Sequence, residues 1–226
     1  MQAIAKKGYK VSVSGTGADE LFSGYYDHHL AYLSEMSTGN IKFFEESKSN
    51  WENKIKPFVR NPYLQNFNYL IKNPCSRSHI FLNSNEYSKY LTYPFHEDFE
   101  EKIFTPYLLR NRMANELFHE SVPVILHEDD LNSMFFSIEN RSPYLDGALY
   151  EWSLKIPTKY LIRNSLTKSI LRDSIRDFVP NKIIDNPRKV GFNVPIDDYV
   201  DFHDADVMNE LSKSSPIEEI IRVDLV

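Results

Sequence analysis

Asp19, Glu20 and a distant Arg188-Lys189 pair are the residues of this chain whose types and settings most readily suggest chemistry. Asp19 and Glu20 stand just after a glycine turn, in the stretch Lys10 to Tyr26 (KVSVSGTGADELFSGYY). Val11 and Val13 alternate with Ser12 and Ser14, the period of a strand. The chain breaks at Gly15-Thr16-Gly17 and restarts as a helix at Ala18-Asp19-Glu20-Leu21-Phe22. A strand that ends in a glycine turn and opens a helix turns backbone N–H groups and a positive dipole end outward, which suits a phosphate. In open α/β sheets such a turn falls outside the carboxyl ends of the strands, where ligands bind. The same residues also read as a capping box, with Thr16 at the N-cap and Asp19 at the third helical position. Neither common phosphate fingerprint is complete. Glu20 stands where a dinucleotide motif has its third glycine, and no GxxxxGK[ST] loop occurs. Spacing alone leaves both readings open.

Arg188-Lys189 precedes Gly191-Phe192, so two cations adjoin a glycine that frees the backbone. Such a loop can reach over a phosphate as a point-charge clamp, although most exposed Arg-Lys pairs do nothing specific. Glu139, Arg141 and Asp146 surround the turn at Pro143, either as an internal ion-pair brace or as part of a site. The run His127-Glu128-Asp129-Asp130 reads as a solvated helix face. His28 and His29 follow Asp27, but adjacent histidines point to different sides of a helix and no third ligand has helical spacing, which disfavours a metal. Ser12 and Ser14 lack the glycine spacing of a hydrolase elbow. Position 2 is Gln, so there is no N-terminal cysteine nucleophile.

Composition narrows the class. The 226 residues suffice for one sizeable domain or a domain and a half, and 42% hydrophobic with 14% aromatic content supports a packed core. A net charge of -6 without a Lys/Arg cluster argues against nucleic acid. The single Cys75 fits a reducing, cytoplasmic setting. No apolar run approaches the ~20 residues of a membrane helix, and MQAIAKKGYK is too short and polar for a signal peptide.

The elements that must position these residues follow from pattern. Met1 to Lys7 reads as the end of a helix stopped at Gly8, feeding the Lys10 strand. Residues 24–58 read as two helices split at Gly39-Asn40, and 59–105 as irregular structure with short helices. Helices are expected over 107–118, from Ser121-Val122-Pro123 onward, after Pro143 as far as Pro157, over 165–178, and from the capping box Ser215-Pro216-Ile217-Glu218. The fold class is therefore α/β, with one or two parallel strands at the start and mostly helices after them. A lone αβ unit needs neighbouring strands, and the helix begun at Ser215 is barely a turn or two long at Val226, so both ends are expected to be truncated.

Taken in order, five segments resemble the C-terminal, synthetase part of glutamine-dependent asparagine synthetases. They are Ser14 to Tyr25, Asp130 to Met134, Ser137 to Asp146, Lys168 to Arg172, and Pro180 to Pro195. The resemblance covers most of the chain outside 40–105 and 200–226. It implies the ATP-pyrophosphatase (adenine nucleotide alpha hydrolase-like) fold, here incomplete at both ends. It also implies a partial synthetase domain over 1–226, with residues 1–38 as the αβ nucleotide-site unit and 39–226 as the helical part carrying the Lys189 loop. The implied activity is an ATP-dependent amide-forming ligase. A carboxylate attacks the α-phosphorus of ATP to give an acyl-adenylate and pyrophosphate, and ammonia from glutamine then displaces AMP. By matching position, Ser14, Gly15, Gly17 and Lys189 would bind ATP, Asp19 would hold Mg²⁺, and Lys189 with Asp19 would be catalytic. Glu20, Asp130, Glu139, Arg141 and Asp146 would serve as scaffold or carboxylate contacts. The implied partners are aspartate or another carboxylate and ammonia from a glutaminase domain, with a homodimer as an option and neither nucleic acid nor membrane.

Three departures qualify the match. Thr16 stands where asparagine synthetases often have a Glu thought to handle the ammonia proton, which opens the alternative of an amidotransferase acting on another carboxylate, such as one on a sugar or secondary metabolite. An SGGxDSS loop and a glutaminase domain are not in the sequence. The 226 residues alone are therefore expected not to turn over ATP, and a non-catalytic helical binding module is the rival of a different class.

Overall fold

The computed structural model describes residues 1–94, 97–189, 191, 200–212, 219–222 and 225. The chain divides into two compact units, Met1–Ser76 with Glu101–Lys189, and Arg77–Glu100 with Val190–Val226.

In chain order the first unit opens with α1 (Gln2–Lys6), which ends at a left-handed Gly8, and β1 (Val11–Val13). Then come α2 (Ala18–Phe22), α3 (Tyr26–Ser37), α4 (Ile41–Lys54) and α5 (Tyr69–Lys72). The second unit contributes α6 (Ser84–Tyr87). The first resumes with α7 (Leu108–Asn115), a π-helical turn at Glu116–Glu120, and α8 (Val122–Met134), which has a proline in its first turn. After β2 (Glu139–Arg141) follow α9 (Gly147–Leu154), α10 (Ser169–Ser174) and α11 (Asn181–Ile184); α12 (Ala205–Ser212) belongs to the second unit. Within that unit Leu91 forms an antiparallel bridge with Ile221, and Arg77 pairs with Glu97.

β1 and β2 pair in parallel, Val11 with Glu139, Ser12 with Asn140 and Val13 with Arg141. The ladder continues past the strand end, since the Ser14 N–H donates to the Arg141 carbonyl at 2.8 Å. The Ser12 hydroxyl donates to Asn140, whose amide reaches Asp129 on α8, so the serine face is the one tied into the unit. Val11 and Val13 are exposed instead of lining the core. The apolar core lies among the helices: Leu21 and Phe22 of α2, Leu30 and Leu33 of α3, Trp51 of α4, Leu70 of α5, and Leu109 and Met113 of α7. Each such side chain contributes about 1.5–3 kcal/mol by leaving water. That packing makes α2 a rigid base for the turn ahead of it.

Two expectations change. The helix expected over 165–178 is confined to Ser169–Ser174, because Asn164, Ser165 and Lys168 all take left-handed backbone angles and delay its start. The N-cap of α2 is Gly17, at φ +95°, and no side chain caps it, so the Thr16–Asp19 capping box does not form. The Ser215 box lies outside the described residues. No helix among those described is long and apolar enough to cross a membrane.

Candidate active site

The turn between β1 and α2 is shaped by its glycines and hydroxyls. Gly17 is left-handed at φ +95°, which is what favours glycine there, and a Cβ would also press on the Leu145 side chain, 2.5 Å from its Cδ2. A Cβ on Gly15 would meet nothing within 4 Å, which leaves that side of the turn open to an approaching group. The Ser14 hydroxyl donates to Thr16 Oγ1 at 3.2 Å and lies 2.9 Å from the Ser142 hydroxyl.

Asp19, in the first turn of α2, is the centre of charge. Lys189 Nζ donates to its Oδ2 at 2.6 Å, and Lys168 Nζ forms an ion pair with Oδ1 at 2.5 Å. Burial alone would raise the Asp19 pKa, but the two ammonium groups outweigh it and hold the carboxyl below the usual range. Oδ1 lies against Gly24, where a Cβ would be only 1.4 Å away. Lys168 reaches the site from a left-handed position whose N–H bonds to the Phe22 carbonyl at 3.2 Å, just behind α2. The Lys189 ammonium stands 4.9 Å from the Tyr25 ring centroid. Glu20 is buried and accepts the Tyr25 hydroxyl at 2.6 Å; burial and this bond push the phenol pKa up.

Ser14, Gly15 and Gly17 thus line the turn, Asp19 and Lys189 meet 170 residues apart in sequence, and Glu20 joins them through Tyr25. The remaining candidates have other settings. Asp130 is exposed on α8. Glu139 and Arg141 pair with each other at the surface, at 2.9 and 3.2 Å. Asp146 is the N-cap of α9 and accepts from Leu149 N at 2.9 Å. Lys168 is the residue that sequence reasoning left without a role, although it opens one of the five matched segments. Asp19 and Lys189 meet in a direct ion pair, without a hollow between them. A cavity of ≈ 340 Å³ bounded by His29, Tyr32, Trp51 and Ser165 lies elsewhere, as does a wider groove along Glu35, Phe43 and Tyr107.

The glycine turn thus adjoins a carboxylate gripped by two partly solvated lysines. The family model for asparagine synthase matches residues 1–226, and the chain belongs to that family. It is similar to asparagine synthetase [glutamine-hydrolyzing] 1 of Bacillus subtilis (strain 168), with 30% identity over 211 residues, 85% of this chain and 32% of the relative. The chain thus spans about a third of the length of that curated relative. No solved structure matches it.

Proposed function

We propose that this chain is the carboxylate-activating part of an ATP-dependent amide-forming ligase, with the ATP-pyrophosphatase fold. The observation that carries the reading is Asp19 flanked by Lys168 and Lys189 beside the open glycine turn. Both lysines are long, partly solvated point charges that can exchange one anion for another. On arrival of a triphosphate they would turn from Asp19 to phosphate oxygens, which frees the carboxylate.

The donor set fits Mg²⁺. Asp19 offers hard, ionised oxygens, and Mg²⁺ is commonly held by one or two carboxylates together with substrate phosphates. Bound there, the ion would neutralise phosphate charge. Lys189 would stabilise the charge that builds on the α-phosphate and the departing pyrophosphate, a preorganised electrostatic role. Ser14, Gly15 and Gly17 would lie against the nucleotide. Glu20 would hold Tyr25, whose ring would flank the Lys189 ammonium as it turns toward phosphate. The substrate would be aspartate, with ammonia released from glutamine. A second reading keeps the chemistry and changes the carboxylate, because at position 16 a hydroxyl bonded to Ser14 offers no carboxylate to take a proton from ammonia.

Pyrophosphate release by the full-length gene product tests this, with MgATP, glutamine or ammonia, and a panel of carboxylates. Release that depends on aspartate supports the first reading, and release with another acid the second. No release with any acid refutes both.

A further inference from the structure

The turn that carries Asp19 is held from behind. Ser23, fully buried, has φ +66° and ψ +147°, close to a region that side-chain-bearing residues rarely enter. Gly24 follows, with the Asp19 carboxylate resting on its Cα. The Gly24 N–H donates to Nδ1 of His28 at 3.0 Å, and Nε2 of the same ring is 2.8 Å from Oε2 of Glu116 in the π-helical turn. His28 and Glu116 are both buried. A ring that accepts at Nδ1 carries its proton on Nε2 and donates it to Glu116. Burial favours the neutral ring and Glu116 opposes that, for a net pull upward to about 9. The amide hydrogen aimed at Nδ1 leaves no place for a second proton, so against that pull the geometry selects the neutral Nε2–H ring, and burial raises the Glu116 carboxyl it faces to about 7. The Tyr25 ring meets His28 edge-on at 5.1 Å and stands next to the Lys189 ammonium.

A metal centre of Asp27, His28 and Glu116, whose ligand atoms lie within 4.8 Å of one another, is the competing use of these residues. Arg112 opposes it. Its buried guanidinium already brings positive charge to 4.0 Å from Asp27 and 3.0 Å from Glu101.

We infer that His28 is a positioning residue: held as the Nε2–H tautomer by Glu116, it fixes the Ser23–Tyr25 turn, and with it the Asp19 carboxylate and the Lys189 ammonium, for a metal-bound triphosphate. The identity of the bound group rests on the function proposed above; the relay from Glu116 through His28 and Gly24 to Asp19 does not.

Two substitutions separate positioning from mere packing. His28→Asn can place an amide oxygen where Nδ1 sits and keep the Gly24 bond. His28→Gln reaches toward Glu116 but leaves the Gly24 N–H without an acceptor. In the full-length protein three quantities are read: the Mg²⁺ dependence of pyrophosphate release, the rate at which an amine-acylating reagent labels Lys189 without nucleotide, and the ¹⁵N signals of the His28 ring between about pH 5 and 8. His28→Gln should raise the Mg²⁺ needed for half-maximal release by roughly 10–100-fold, the usual cost of losing a residue behind a metal ligand. It should also speed Lys189 labelling several-fold. His28→Asn should stay near wild type in both, while in the wild-type protein the His28 ring signals report one proton, on Nε2, throughout. Equal changes in the two variants, unchanged labelling in His28→Gln, or a doubly protonated ring at pH 7 would overturn the inference. Absence of pyrophosphate release in the wild-type protein would fault the nucleotide reading alone, and labelling and ring signals would still decide the role of His28.

Discussion

Asp19 is held by two lysines whose side chains keep 23% and 30% of their surface in solvent, whereas the guanidinium nearest Asp27 belongs to Arg112, 1% exposed on α7. The two carboxylates are eight residues apart, yet their surroundings differ in kind. Lysines on flexible stems can trade a carboxylate for a phosphate at little cost in packing. Arg112 lies among Asp27, Glu101 and Glu116 in a buried cluster, and moving it would strand charge away from water. Under the proposed function the first arrangement would be rearranged by a ligand and the second would stay as it is. If this contrast is right, the open cluster should govern activity and the closed one stability.

The closed cluster gives the largest expected effect. Arg112→Met removes the buried cation and leaves its acidic neighbours uncompensated, which should cost about 3–5 kcal/mol in chemical denaturation. A change below about 1 kcal/mol would show that the cluster is wetter and looser than its burial implies, and the contrast would fail. Next is the open cluster. Lys189→Met and Asp19→Asn should each lower pyrophosphate release by roughly 10²–10³-fold, the scale of losing one preorganised charge contact. Partly solvated ion pairs contribute little to folding, so the denaturation midpoint should barely move. A loss of stability matching that of Arg112→Met would erase the distinction between the two regions.

How much of this was legible in the sequence depended on whether the signal was local. The alternation of Val11 and Val13, the split at Gly39-Asn40 and the stop at Gly8 are short-range signals, and β1, α3 with α4, and α1 follow them. Asp19 and Lys189 were nominated by motif order, which carries long-range information that spacing lacks. Lys168 and Glu116 were not nominated, because nothing local connects Lys168 to Asp19 or Glu116 to His28, 88 residues away. The Thr16 capping box misled for a related reason. Its residue types suit a cap, but the left-handed Gly17 takes that position and leaves the Asp19 carboxylate to the lysines.

His29 adds a pH test on the buried side of α3. Burial depresses its pKa from 6.5 to about 3. Below 6.5 the unfolded chain therefore takes up a proton that the folded chain refuses. The stability is complete above 6.5 and falls as pH drops toward about 3. Between pH 6.5 and 5 the loss should be about 2 kcal/mol, at roughly 1.4 kcal/mol per unit. Denaturation at the two pH values should show this slope in the wild type, and His29→Gln should flatten it. An unchanged slope in the variant would shift the acid sensitivity to other groups and weaken the assignment of stability to the closed side.

The smallest expected effect lies at the joint between the two clusters. Ser23 has a strained backbone, and its buried hydroxyl makes no hydrogen bond. Such strain costs about 1–3 kcal/mol, while glycine loses roughly 0.5–1 kcal/mol more conformational freedom on folding. Ser23→Gly should therefore stabilise the protein by about 1 kcal/mol, whereas Ser23→Ala removes the hydroxyl and keeps the strained φ, so it cannot gain the same way. Thermal melting of the pair isolates the backbone contribution. The same pair also bears on function, because a relaxed Ser23→Gly turn still has the Gly24–His28 bond to hold it. If that bond does the positioning, Ser23→Gly melts higher with its Mg²⁺ dependence unchanged; if Mg²⁺ dependence weakens as stability rises, the strain itself is what aims Asp19.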